Sequence, residues 1–116
     1  MTQAPERIQA RDWVEHLQSL HARGFRWFDF LTAIDRGTGL DIVVRVVQSD
    51  TGESALVTTL VSDELPSLTA IYPGAGWYER ETHEMFGVTF VGLVDDRPLL
   101  LHGAEEQPPL RRQAAP

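Results

Sequence analysis

Glu79, Glu81 and His83 occupy alternate positions in the segment Gly-Trp-Tyr-Glu-Arg-Glu-Thr-His-Glu-Met-Phe-Gly at 76–87, with Arg80 and Glu84 beside them. Carboxylates next to an imidazole are what general acid–base catalysis uses, provided the groups converge on one cleft. Acidic residues early in a helix are also what its dipole favours, so stabilisation of the helix competes with catalysis as their explanation. His83-Glu84 opens like the metal-binding helix of a zinc protease, but Gly87 stands where the second histidine belongs. His102 would then have to come from the C-terminal tail. Gly74 and Gly76 precede a helix as in phosphate-binding turns, yet the rest of the dinucleotide fingerprint and of the P-loop is missing. They are better read as the points where the chain reverses after Pro73.

At about 100° per residue, Trp77, Tyr78, Glu81 and Met85 share one side of a helix and Glu79, Arg80, His83 and Glu84 the other. This places Glu81 inside the apolar stripe, where an unpaired carboxylate would cost several kcal/mol. Its candidate partners are Arg97, Arg111, Arg112 or an arginine of another protein. On the polar side, Arg80 with Glu84 and Glu79 with His83 are four apart and support a helix by a few tenths of a kcal/mol per pair.

The elements that must position this segment are legible from periodicity. Trp13, Val14, Leu17 and Leu20 recur at helical spacing between Ala10 and Gly24, which predicts an amphipathic N-terminal helix. His16 and His21 lie on it five apart, the wrong spacing for a metal pair, and are read as solvated. Residues 25–35 are aromatic and β-prone, with Phe25, Trp27, Asp29 and Leu31 on one side and Arg26, Phe28, Phe30 and Thr32 on the other. Which side faces inward is open. Turn residues at 35–39 and 50–53 separate this strand from strands at 40–49 and 54–62, giving an antiparallel meander. After Pro66 a short helical segment is expected at Ser67–Tyr72, a break at 73–76, the signature helix at Trp77–Phe86 stopped by Gly87, and a short strand within 88–94.

One domain spanning 1–116 is expected, with 98–116 as a proline-rich tail carrying Arg111 and Arg112. The 42% apolar and 23% charged residues are globular proportions, and no apolar run approaches the roughly 20 residues that span a bilayer. No secretory signal opens the chain, so a cytoplasmic location is expected. The chain has no cysteine, which excludes disulfides and thiolate-ligated zinc or iron–sulfur clusters. A net charge of -7 argues against nucleic acid and anionic membrane as free partners.

Residues 65–92 resemble the signature of the 30 kDa subunit family of respiratory complex I, the C-type subunits of NADH-quinone oxidoreductase. The matching positions are Pro73, Gly74, Ala75 and Trp77, then Glu79-Arg80-Glu81, Glu84, Gly87 and Phe90. The preceding order of elements, with Phe-Asp-Phe-Leu-Thr-Ala-Ile-Asp at 28–35 and Pro-Ser-Leu-Thr-Ala-Ile-Tyr-Pro-Gly at 66–74, is similar too. Glu84 replaces the family's usual aspartate, the His-Pro after Gly92 is lost, and Pro109-Leu110-Arg111-Arg112 ends without the usual aspartate or extension.

The resemblance implies a cofactor-free, non-catalytic accessory subunit of the peripheral arm, held on the cytoplasmic face of the inner membrane without inserting into it. Such a protein packs beside the D-type subunit that forms the quinone site, near B-type and I-type neighbours, and supports NADH-to-quinone electron transfer coupled to proton translocation. Trp77 and Phe86 are then packing anchors, Glu79, Arg80, Glu81 and Glu84 a charged network, and Gly87 the stop, with Arg111 and Arg112 serving the fold or a partner. The expected fold is α+β: a two-layer, mainly antiparallel or mixed sheet with an N-terminal helix and a short signature helix. Two alternatives stand beside this reading: the equivalent component of a membrane-bound hydrogenase-like complex, and a free-standing enzyme using Glu79, Glu81 and His83. Self-association of the isolated chain as a homo-oligomer stays open.

Overall fold

Strand β2 (Trp27–Asp35), β3 (Leu40–Val47) and β4 (Ser54–Val61) form the antiparallel meander that the alternation predicts. The computed structural model describes residues 4–93. On β3, Leu40, Ile42, Val44 and Val46 are all buried, and Val57, Thr59 and Val61 of β4 share their face. The open question of which side of β2 is inward is answered by a bulge. The register steps between Phe28 and Phe30, so Asp29 is an extra residue, and Phe28 joins Leu31 and Ala33 on the inner face. Both periodic sets of the sequence are therefore half right.

The first turn is held by Asp35 Oδ1, which accepts from the Gly37 backbone N–H at 2.8 Å, and Gly37 itself has φ 85°, a conformation that suits glycine. Sequence patterning does not predict β1 (Glu6–Arg7), which adds in parallel beside β4 and completes a mixed sheet in the order β1-β4-β3-β2. A single 3-10 turn at Ala10–Asp12 leads into helix α1 (Trp13–Ala22), whose Trp13, Leu17 and Leu20 are buried against the sheet's inner residues. His21 is not simply solvated: its ring meets Tyr72 edge-on at 5.2 Å. His16 Nε2 lies 3.3 Å from a Glu6 carboxylate oxygen.

A second, smaller unit follows. β5 (Glu64–Pro66) pairs in parallel with β6 (Thr89–Val91), and helix α2 (Ala75–Phe86) lies in the crossover between them. Leu65, Val88 and Phe90 are buried, and α2 packs along β2. The expected helical segment at Ser67–Tyr72 is instead a series of turns, tied by bonds from the Ile71 and Tyr72 N–H groups to the Leu68 carbonyl. Pro66 is part of β5 and the chain reverses before a helix can propagate. Helix α2 ends at Gly87, left-handed at φ 81°, whose N–H donates to the His83 carbonyl at 2.8 Å. The architecture is α+β in two layers, helices and crossover covering the inner face of the mixed sheet.

Two buried polar groups lock the crossover to the rest. The Tyr72 hydroxyl donates to the Phe25 carbonyl at 2.5 Å, and burial pushes its pKa up to about 12. Its ring lies 5.6 Å from that of Phe28. Glu79 has no exposed surface; its Oε2 accepts from the Leu68 N–H at 2.7 Å, and its Oε1 lies 2.6 Å from the Ser67 hydroxyl. The carboxylate thus clamps α2 onto the turn that follows β5. Burial raises its pKa from the ordinary 4.5, opposed by the bonds from Ser67 and Leu68.

Tyr72→Phe strands the Phe25 carbonyl and is expected to cost about 1–2 kcal/mol in chemical denaturation. Glu79→Ala orphans the buried Leu68 N–H, takes one partner from the Ser67 hydroxyl and leaves a cavity, and should cost about 2–4 kcal/mol, whereas Glu79→Gln keeps an acceptor for Leu68 and a polar contact for Ser67 and should come within about 1 kcal/mol of the wild type. Because the folded state holds the Glu79 proton more tightly than the unfolded chain, its contribution is fully present below pH 4.5 and declines as pH rises toward the folded pKa. The stability of the wild type relative to Glu79→Gln should therefore fall across that window. A difference that stays flat from pH 4 to 8 would contradict the burial of the charge.

Candidate functional site

Helix α2 carries the signature residues on two unlike faces. Ala75, Glu79 and Thr82 are fully inward, with Tyr78 and Phe86 partly buried against the core. Small residues at 75 and 82 let the helix approach closely, and the Thr82 hydroxyl is spent on the Tyr78 carbonyl at 2.7 Å. The stripe expected from the sequence is thus turned about the axis: Glu81 is exposed, and the carboxylate that needs buried donors is Glu79. Trp77 is not a packing anchor of this chain, since 58% of it is exposed. Phe86 does pack against the core.

The three candidates for acid–base chemistry do not converge. Glu79 points into the protein and Glu81 lies about 200° away around the helix. His83 flanks the inward face and donates from Nδ1 to the Val88 carbonyl at 2.9 Å, which fixes its ring to the strand that follows. Among the described residues no group of three His, Asp or Glu side chains is placed to hold a metal ion. His102, Arg97, Arg111 and Arg112 lie outside the described residues, and so does the expected pairing of the arginines with Glu81.

What α2 offers outward is a contact surface. Trp77 and Glu81 are exposed, and Arg80 and Glu84 are half-buried. The expected ion pairs of Arg80 with Glu84 and Glu79 with His83 are not formed among the described residues. The Nε of Arg80 is buried without a hydrogen-bond partner among those residues, and its guanidinium is uncommitted there. An exposed indole beside an uncommitted guanidinium is the pairing that protein interfaces favour, because both groups bring large, rigid contact area.

Two groups were invisible to sequence reasoning. Ser67 and Leu68, the donors to Glu79, lie in a turn that the resemblance covers at 66–74, but nothing in its residue types marks them as partners of Glu79. Arg7, Arg36 and Asp41 meet on the opposite, outer face of the sheet, where Asp41 accepts from Arg7 at 3.2 Å and from Arg36 Nε at 2.7 Å. Only the parallel addition of β1, a long-range pairing, brings Arg7 there.

No helix among the described residues is long and apolar enough to cross a membrane. The sequence matches the family described as respiratory-chain NADH dehydrogenase, 30 Kd subunit, over residues 6–116. It is 33% identical over 117 residues to the C subunit of NADH-quinone oxidoreductase of Jannaschia sp. (strain CCS1), covering 97% of this chain and 56% of that one. It is 40% identical over 97 residues to the C/D subunit of the NADH-quinone oxidoreductase of Photorhabdus laumondii subsp. laumondii, covering 84% of this chain and 14% of that one. The chain therefore spans about half, or less, of these relatives.

Among solved structures, the trypsin-resistant fragment of Nqo5 superposes with a TM-score of 0.72 at 22% identity, covering 77% of this chain and 79% of that one, which shows the shared fold. A chain of the membrane-bound sulfane sulfur reductase, an archaeal respiratory membrane complex, superposes with a TM-score of 0.76 at 26% identity, covering 87% and 66%. The family match and the shared two-layer fold together identify the chain: it belongs to the family of the 30 kDa subunit of respiratory-chain NADH dehydrogenase, the C-type component of complex I and related membrane-bound respiratory complexes.

Proposed function

We propose that the chain is a non-catalytic accessory subunit of the peripheral arm of an NADH-quinone oxidoreductase, docking beside the quinone-site subunit and near neighbours of the B and I type. It lies on the cytoplasmic face of the membrane, and NADH-to-quinone electron transfer and its coupling to proton translocation take place in those neighbours. One observation carries the reading: the signature helix leaves Trp77 58% exposed, and the half-buried Arg80 on the same helix has its Nε without a hydrogen-bond partner among the described residues. Aromatic and arginine side chains are the types enriched where one protein surface covers another. The whole chain, 1–116, acts as one domain, and Arg111 and Arg112 serve either its fold or a partner.

The likeness to a chain of the sulfane sulfur reductase supports a second reading, the equivalent component of a membrane-bound, hydrogenase-like complex. The identity of the co-purifying proteins separates the two. A tagged chain expressed in its native host is expected to recover subunits of the D, B and I type, together with an NADH-oxidising module if the first reading holds. Trp77→Ala should reduce that recovery by about tenfold or more, the loss a central aromatic anchor carries, while changing the chain's own stability by less than about 1 kcal/mol because the side chain is mostly in water. Undiminished recovery with Trp77→Ala would remove α2 from the docking surface. A wild-type chain that recovers no respiratory subunit would overturn the reading itself.

A further inference from the structure

The helices cover only one face of the four-stranded sheet. The other face carries Trp27, Ile34 and Leu60, all exposed, and half-buried Val43 and Leu56. Across its width this face holds an open depression with an apolar floor of Ile34, Val43 and Leu56 and a rim formed by Arg7 and Arg36 over Asp41. Asp41 is 2% exposed, while Arg7 and Arg36 are 58% and 54% exposed.

Holding Asp41 does not require both arginines. One carboxylate faces two guanidinium groups, so the site carries a local excess of one positive charge in a chain whose net charge is -7. Arg36 commits only Nε to Asp41, leaving its terminal N–H groups without an acceptor among the described residues. The Oγ1 of Thr58, a residue that lines the same depression, is buried without a hydrogen-bond partner among them. A cationic rim with spare donors over an aliphatic floor matches one kind of occupant.

We propose that this depression is a second docking site, and that it receives a protein segment presenting a carboxylate beside an aliphatic side chain. The carboxylate takes the spare guanidinium donors, and the aliphatic group lies on Ile34, Val43 and Leu56. A second copy of this chain is disfavoured by like charge, and nucleic acid by the same net charge. The proposal rests on the reading of the chain as a docked subunit and adds a separate face to it, opposite the side covered by α1 and α2.

The test uses the full-length tagged chain in its native host. A photo-crosslinking amino acid at position 34 is expected to label another protein of the complex, at a peptide in which Asp or Glu adjoins an aliphatic residue. Ile34→Glu places a carboxylate where it can take the arginine donors itself, and should lower recovery of that protein by about tenfold or more, since like charges across an interface cost several kcal/mol. Ile34→Val should behave as wild type, and so should Ser49→Glu, which adds the same charge in a turn away from the depression. Recovery undiminished by Ile34→Glu, or labelling of residues 94–116, of a second copy or of nothing, would overturn this site while leaving the subunit reading intact. A wild-type chain that recovers no respiratory subunit would defeat the parent reading and this one with it.

Discussion

The Glu79 carboxylate is the constraint on which the outward display of the signature helix depends. It is enclosed, and both of its donors belong to consecutive residues at the start of the crossover. With Ala75 and Thr82 packed inward, this side chain fixes the rotation of α2 about its axis, because any turn that freed Glu79 would leave the buried Leu68 N–H without its acceptor and cost Ser67 one of its bonds. Once that rotation is fixed, Trp77 and Glu81 have only the outside of the domain to face. The Tyr72 hydroxyl extends the same logic, tying the turn to the chain entering β2. The fold thus uses buried polar bonds to aim a helix whose apolar residues alone would not choose a side.

The sheet divides the molecule unevenly. Its inner face is filled by aliphatic residues, Trp13 and the crossover, while its outer face keeps charge and apolar surface together. Arg45 with Asp29, and Arg7 and Arg36 with Asp41, hold their partners in place across strands on that outer side. The half-exposed Arg45–Asp29 pair adds little to stability, whereas the buried Asp41 carboxylate needs its arginine partners. Their arrangement matters more for what they can offer a second surface.

Much of this was legible in the chain itself. The meander of β2, β3 and β4 follows from alternation and turn chemistry, and the end of α2 follows from Gly87, because each depends on neighbours in sequence. The short parallel pairs, β1 with β4 and β5 with β6, join residues far apart and carry no local pattern. The facing of α2 was misjudged because indole and thioether bulk outweighed Ala75 and Thr82 on a helical wheel. Close approach to the core favours small residues, and the donors to Glu79 have no signature that spacing can reveal. The bulge at Asp29 was hidden for a related reason, since one inserted residue merges two alternations that look mutually exclusive.

That bulge has a bearing on how the protein survives before it meets its neighbours. β2 is the outermost strand on one side of the sheet and nine residues long, whereas β1 on the other side has only two. A long, straight border strand is a template onto which a second chain can add its own backbone. Here the extra residue at Asp29 breaks the regular repeat of donors and acceptors near the start of β2, and α2 lies along the same strand. The regular backbone edge of β2 is thus interrupted near its start and flanked by α2, which leaves that border a poorer template for a further strand.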